Sequence, residues 1–138
     1  MFDHCLYFNT TALARLLERE WATAFKPFGL TPSQAFMLRV VLARPGLLQS
    51  ELAEELAISR STASRTLDGL QKLGFLERRA TERDGREAAI EPTTAAASIK
   101  EGLNMASGEV TRRLKKALQV DQFEDTVSKL KKTRAILE

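Results

Sequence analysis

Apolar residues in the first third of the chain recur at the three- and four-residue spacing of a helix. The first such stripe predicts an amphipathic helix over residues 6–25. A second helix is predicted over residues 31–43, because Thr31 and Gln34 form a capping box and Pro32 occupies the first helical position. The chain therefore opens with two helices separated by a short break.

Two shorter helices follow, with only Ala57-Ile58 between them. Residues 49–56 carry one apolar face, and Ser59 is a strong N-cap for a fourth helix that Gly74 ends. Two helices joined by so short a turn are typical of a helix-turn-helix unit. The buried stripe of the fourth helix is expected to consist of Ala63, Leu67, Leu70 and Leu73.

A pair of short strands is predicted directly after the fourth helix. Residues 75–79 and 87–91 have strand character, and they flank the polar, glycine-containing segment 81–86. This pattern predicts a β-hairpin. A hairpin that follows the second helix of a helix-turn-helix unit forms a wing.

The rest of the chain returns to helix. Thr93 is the predicted N-cap of a long helix that runs to about Leu118, and Asp121 with Glu124 is predicted to form a capping box for a last helix. The expected fold class is mainly α with a small β-hairpin wing, in one domain over residues 1–138. Its expected parts are an N-terminal helix within 1–30, a winged helix-turn-helix over 31–92 and C-terminal helices over 93–138.

Composition narrows the classes of function. Of the 138 residues, 43% are hydrophobic and 28% are charged, which is ordinary for a globular protein, and the net charge is +3. A mildly basic balance suits a polyanionic partner but does not identify one. One cysteine excludes an intramolecular disulfide, and one cysteine with one histidine leaves a conventional zinc site or catalytic triad hard to assemble. We therefore expect a non-enzymatic protein without metal or cofactor.

The N-terminal segment MFDHCLYFNT lacks the basic and apolar regions of a signal peptide. No stretch of the sequence approaches the roughly 18 uninterrupted apolar residues of a membrane-spanning helix. We expect a soluble cytoplasmic protein that does not engage a membrane.

The run QSELAEELAISRSTASRTLDGLQKLGFLERRATERDGREAAIEPT resembles the winged helix of the MarR family of transcriptional regulators. The resemblance includes ELAEEL on the third helix, LQKLGFLERR leading into the first strand, and Asp84-Gly85-Arg86 at the D-x-R position of the wing. It implies that the N- and C-terminal helices form a homodimer and that the wings contact duplex DNA. The implied function is a sequence-specific repressor, responsive to a small molecule, on a pseudo-palindromic operator.

Candidate DNA-contacting residues lie on the fourth helix and in the wing. Small hydroxyl side chains let the start of a helix approach the major groove closely, and Arg65, opposite the apolar stripe, is the expected reader of guanine. In the wing, a carboxylate two residues from an arginine orients it for the minor groove. The alternative for these polar residues is an ordinary solvated surface. The candidates are Ser59, Ser61, Thr62, Ser64, Arg65, Arg83, Asp84 and Arg86.

Other functions remain open at this point. The resemblance implies an effector pocket between the dimer helices and the winged helix. Its candidate lining residues are Trp21, Phe25, Phe36 and Met37. The alternative is that these apolar residues, which recur at helical spacing, belong to the hydrophobic core. Cys5 is a candidate redox sensor, against which stands the usual role of a lone cysteine as a small hydrophobic residue. A winged-helix protein-interaction module that does not bind DNA is the alternative from a different class.

Overall fold

The computed structural model describes residues 1–82 and 85–138, which form helices around one small sheet. The helices and strands follow in the order α1 (Leu6–Phe25), a 3-10 turn (Lys26–Phe28), α2 (Pro32–Ala43), β1 (Leu47–Leu48), α3 (Gln49–Glu55), α4 (Arg60–Lys72), β2 (Leu76–Ala80), β3 (Ala88–Pro92), α5 (Thr94–Leu118) and α6 (Val120–Leu137). The predicted mainly α fold with a wing is confirmed.

Side-chain caps set several helix starts as the sequence predicts. Thr31 accepts a hydrogen bond from the backbone N–H of Gln34, whose side chain accepts one from Thr31 N–H, so the predicted capping box is present. Ser59 and Thr93 cap α4 and α5 in the same extended conformation. Each cap satisfies a backbone N–H group that the first turn of a helix leaves unpaired.

The sheet contains one strand more than the sequence predicts. Its order is β1-β3-β2, with both pairs antiparallel, and β1 places Leu47 opposite Ile90. Gly46, at φ 89°, donates its N–H to the Ile90 carbonyl at 2.8 Å and starts this pairing. The sequence does not predict β1 because a two-residue strand is too short to show alternating apolar and polar residues. The strands β2 and β3 each begin one residue later than predicted.

The core lies where α2, α4 and α5 meet the sheet. Among its fully buried side chains are Met37 and Leu38 of α2, Leu67 of α4, Ile90 of β3 and Leu103 of α5. This single cluster holds the helix-turn-helix against the wing and the long helix, and thereby fixes which face of α4 stays outside.

Two local predictions are wrong. Asp121 and Glu124 do not cap α6. Gln119, at φ 69°, interrupts the helical conformation immediately after α5, and the new helix already begins at Val120. Asp121 is therefore inside the first turn, where its charge favours the positive end of the helix dipole. Leu73 is 49% exposed rather than buried, since α4 ends at Lys72 and Leu73 is its C-cap.

The terminal helices leave much apolar surface uncovered. α6 buries none of its residues within the chain, and α1 buries only Phe25. Exposed apolar side chains on α1 and α6 include Leu6, Tyr7, Leu16, Val127, Ile136 and Leu137. Within residues 1–82 and 85–138, no helix is both long enough and apolar enough to cross a bilayer.

Candidate nucleic-acid interface

The start of α4 is a compact group of hydroxyls. Ser59 Oγ accepts a hydrogen bond from Thr62 N–H at 3.1 Å and lies 2.9 Å from Thr62 Oγ1 and 3.2 Å from Ser61 Oγ. Ser59 and Ser61 are exposed, whereas Thr62 and Ser64 are half-buried. The structure therefore brings together three of the four predicted hydroxyl residues, two of them open to a partner, whereas Ser64 takes no part in these contacts.

Arginine side chains flank this group. Arg65 is exposed, and its Nη2 donates to Thr62 Oγ1 at 3.3 Å, which ties the guanidinium to the hydroxyl group. Arg60, the first residue of α4, is also exposed and was not among the predicted site residues. The helix dipole adds positive potential at the same end of α4. Hydroxyls, guanidinium groups and a helix N-terminus together suit an anionic surface such as the DNA backbone.

An ion pair connects α4 with the wing. Arg78 of β2 donates from Nη2 to Asp68 Oδ1 at 2.8 Å, and its Nη1 donates to the side-chain oxygen of Gln71. Both acceptors lie on the exposed face of α4. The sequence places Asp68 on this outer face, but nothing in it identifies Arg78 as the partner. The contact holds strand and helix in one relative position.

The base of the wing is held by Glu87. Its Oε1 accepts from Ser50 N–H and its Oε2 from Ser50 Oγ–H, both at 2.9 Å, so one carboxylate caps the first turn of α3. Ser50 and Glu87 lie 37 positions apart, and sequence spacing gave no signal of the contact. Arg86 is exposed next to this anchor, and it also takes part in an interaction. The other predicted wing residues, Arg83 and Asp84, lie outside the described residues.

A cavity of about 500 Å³ lies between the start of α4 and α1. Trp21 and Phe36, both predicted effector residues, line it. Phe25 and Met37 do not, because both are fully buried in the core. The other lining residues are Ala14, Leu17, Glu18, Pro32, Ser33, Leu56, Ile58, Thr62 and Thr66, so α1, α2, α4 and the turn before α4 all contribute.

A polar junction fixes one wall of this cavity. Ser107 of α5 is buried, and its Oγ accepts from Trp21 Nε1 of α1 and from Arg39 Nη1 of α2, both at 3.0 Å. Arg39 Nε also donates to Asn104 at 2.8 Å, and the guanidinium lies 5.1 Å from the Phe36 ring centroid. Burial lowers the pKa of the Arg39 guanidinium. The junction joins three helices through one hydroxyl.

Cys5 is exposed at the N-cap of α1, where its sulfur accepts from Phe8 N–H at 3.5 Å. No group of three or more His, Cys, Asp or Glu side chains suited to a metal ion occurs within residues 1–82 and 85–138. The site residues of this part of the chain therefore offer hydrogen bonds, charge and apolar surface.

Comparison with known proteins finds a similarity to a family of regulators. Residues 28–87, which span α2 to the base of the wing, match the model of the MarR family. The HTH-type transcriptional regulator YybA of Bacillus subtilis (strain 168) is 31% identical over 81 residues. The aligned part covers 59% of this chain and 54% of YybA, so the chain spans about half the length of this relative. Over residues 28–87, which contain the helix-turn-helix, this chain is therefore similar to the MarR family.

Solved structures extend the likeness to almost the whole chain. A DNA complex of S. aureus MepR has a TM-score of 0.87 at 20% identity, covering 99% of this chain and 100% of that one. A cysteine-to-serine mutant of E. coli MarR complexed with operator DNA has a TM-score of 0.77 at 25% identity, covering 93% and 97%. The terminal helices, which lie outside the family model, are therefore part of the shared fold.

Proposed function

We propose that this chain is a sequence-specific transcriptional regulator of the MarR family, which binds duplex DNA as a homodimer and acts as a repressor. The carrying observation is the exposed start of α4, where Ser59, Ser61, Arg60 and Arg65 are presented together beside an anchored wing. The DNA complexes of MepR and of E. coli MarR support the same use of this fold here.

Each part of the interface has a distinct task in this proposal. The hydroxyls and the N-terminus of α4 bond to phosphates and set the register, while Arg65 makes a bidentate contact with guanine in the major groove. Arg86 enters the minor groove, and Asp84 orients it. Discrimination by Arg65 is expected to be about 1–3 kcal/mol at one base pair.

The homodimer is proposed from the uncovered surface of the terminal segments. Residues 1–30 and 93–138 contain α1, α5 and α6, and the first and last of these bury almost nothing inside the chain. Pairing them across a two-fold axis covers that surface and gives two copies of α4. The two copies then enter successive major grooves about 34–36 Å apart, on a pseudo-palindromic operator.

The cavity between α1 and α4 is the proposed effector site. Its volume of about 500 Å³ is within the range of small-molecule pockets, and Trp21 and Phe36 supply aromatic walls. Since Thr62 and Thr66 belong to α4, a molecule lodged there acts directly on the position of the DNA-contacting helix. Release of DNA requires that the effector prefer a dimer with a different spacing of the two helices.

Two other functions predict different behaviour. A protein-interaction module would lose nothing when Arg65 or Arg86 is replaced. A redox-sensing regulator would respond to peroxide through Cys5, which is accessible, but a lone exposed thiol is weak support for sensing.

The test begins with selection of bound fragments from a genomic library, followed by gel-shift titration of the recovered duplex. Arg65→Ala is expected to lose affinity on the selected duplex and much less on a random one, because it removes a base contact. Arg86→Ala should weaken binding according to minor-groove shape, so the loss should be largest on A·T-rich flanks.

Lys116→Ala is the matched control. It removes one positive charge from an exposed position on α5. Together with Arg112, Arg113 and Lys115 it forms a basic cluster that we expect to be solvated surface, so affinity should be unchanged. Equal losses for Arg65→Ala on selected and random DNA would contradict base reading. Recovery of no enriched sequence would contradict the proposed function itself.

A further inference from the structure

The lining of the effector cavity carries an unbalanced charge. Among the described residues that line it, Glu18 is the single charged side chain. Its carboxylate lies within 4.0 Å of no cationic group of the described chain, so the cavity supplies no counter-ion of its own. An anionic ligand would face this carboxylate without a lining cation to receive it.

Several polar groups at the cavity wall are already engaged. Trp21 Nε1 donates to Ser107, and Thr66 Oγ1 donates to the Thr62 carbonyl at 3.0 Å. Thr62 Oγ1 accepts from Ser59 and Arg65. With the donors of Trp21 and Thr66 committed elsewhere, these side chains mainly offer the ligand an aromatic face and methyl groups.

Arg39 does not reverse this balance. It lies over the Phe36 ring but does not line the cavity, and its Nε and Nη1 donate to Asn104 and Ser107. The surfaces left to a ligand are thus the aromatic rings of Trp21 and Phe36, the neutral Ser33 hydroxyl and the carboxylate of Glu18, which is the one charged group among the described lining residues. Aromatic faces attract cations through the ring quadrupole, and a carboxylate attracts them directly.

We infer that this cavity binds a lipophilic aromatic cation, with Glu18 as its counter-ion. The aromatic body of the ligand packs between Trp21 and Phe36, and its positive end lies toward the rim, where Glu18 is exposed. Binding needs only the cavity. The further step, weaker DNA binding through the α4 wall, rests on the proposed function.

The test uses three probes with one ring system and three charges: 1-naphthylmethylammonium, 1-naphthylmethanol and 1-naphthoate. Calorimetric titration of the full chain is expected to rank the cation first and the anion last. Because Glu18 is at an exposed rim, Glu18→Gln should weaken cation binding about twofold to fivefold and leave the neutral alcohol unchanged. Glu18→Lys should place the anion above the cation.

Glu20→Lys is the matched control, because Glu20 is also exposed on α1 but does not line the cavity. It should preserve the order of the three probes. Equal or tighter binding of the anion than of the cation to the unaltered chain would overturn the inference. A ranking of the three probe affinities that Glu18→Lys leaves unchanged would also overturn it. Failure of all three probes to bind the dimer would also overturn it, and would indicate that the partner's helix fills the cavity.

A gel shift separates this inference from the proposed function. The cation is expected to weaken DNA binding about fivefold or more, in line with typical allosteric coupling. Cation binding that depends on Glu18 without any DNA binding by the free protein would refute the proposed function and leave the ligand class standing. Cation binding without an effect on bound DNA would refute the regulatory step alone.

Discussion

The turn between α3 and α4 contains a backbone conformation that its residue disfavours. Ala57 has φ 54°, donates its N–H to the Glu54 carbonyl at 3.1 Å, and is followed by an Ile58 N–H bond to Ala53 at 3.0 Å. These two bonds form a Schellman motif with alanine at the left-handed position. Gly74, at φ 81°, occupies the same position at the end of α4, where Phe75 N–H bonds to Leu70.

We predict that Ala57→Gly stabilises the protein. A left-handed non-glycine residue costs about 1–2 kcal/mol, whereas glycine adds about 0.4–1 kcal/mol of unfolded-state entropy to be lost. Ala57 is exposed, so removing its methyl group sacrifices little packing. The central values of these two ranges differ by about 0.8 kcal/mol, a net gain that corresponds to roughly 3 °C in Tm for a chain of this length.

Gly74→Ala is the mirror experiment. A Cβ atom at Gly74 would meet no heavy atom within 4 Å, so the backbone conformation alone sets its cost. The free energy of unfolding of Gly74→Ala should be lower than that of the unaltered protein, by an amount similar to the gain expected for Ala57→Gly. Both variants are measured by urea unfolding followed by circular dichroism, at one protein concentration because dimerisation shifts apparent stability. A lower stability for Ala57→Gly, or an unchanged one for Gly74→Ala, would refute the argument.

Three further outcomes are expected. Glu87→Gln and Ser50→Ala should each weaken DNA binding about threefold to tenfold, because each removes a charge-assisted hydrogen bond that holds the wing. In gel shifts, the double variant should lose less binding free energy than the sum of the two single losses. Leu16→Glu should shift the sedimenting species toward monomer, whereas Leu73→Glu, which is about equally exposed but outside the terminal helices, should not. The same shift in both variants would contradict the proposed dimer interface. Cys5→Ser should bind DNA normally, and mild peroxide should not release the unaltered protein; release that depends on Cys5 would establish an oxidant sensor.

Strong local signals made much of the fold predictable. The capping box at Thr31, the Ser59 cap and Gly74 each act through neighbours within a few residues, and the structure has them as predicted. The start of α6 differs from the prediction because a local sequence pattern was misleading there. Asp121 and Glu124 have the right spacing, but the helix begins at Val120 because Gln119 adopts a left-handed φ that no local residue signal announces.

The candidate site was predictable in part. The hydroxyls of α4 and Arg65 follow from helical periodicity, which fixes the outer face once the apolar stripe is known. The Glu87–Ser50 and Arg78–Asp68 contacts depend on how the wing folds back on the helices, which sequence spacing does not encode. Phe25 and Met37 were assigned to the pocket because apolar periodicity does not separate a cavity wall from solid core.

The two edges of the small sheet bear on how the protein behaves at high concentration. One edge, β1, offers only two residues, and the other, β2, carries Glu77, Arg78 and Arg79 within its five. Short or charged edges resist the addition of foreign strands. The wing is thus protected from strand-to-strand polymerisation, and self-association is left to the helices. A crowded solution of this protein should therefore remain free of β-rich aggregates while its native fold persists.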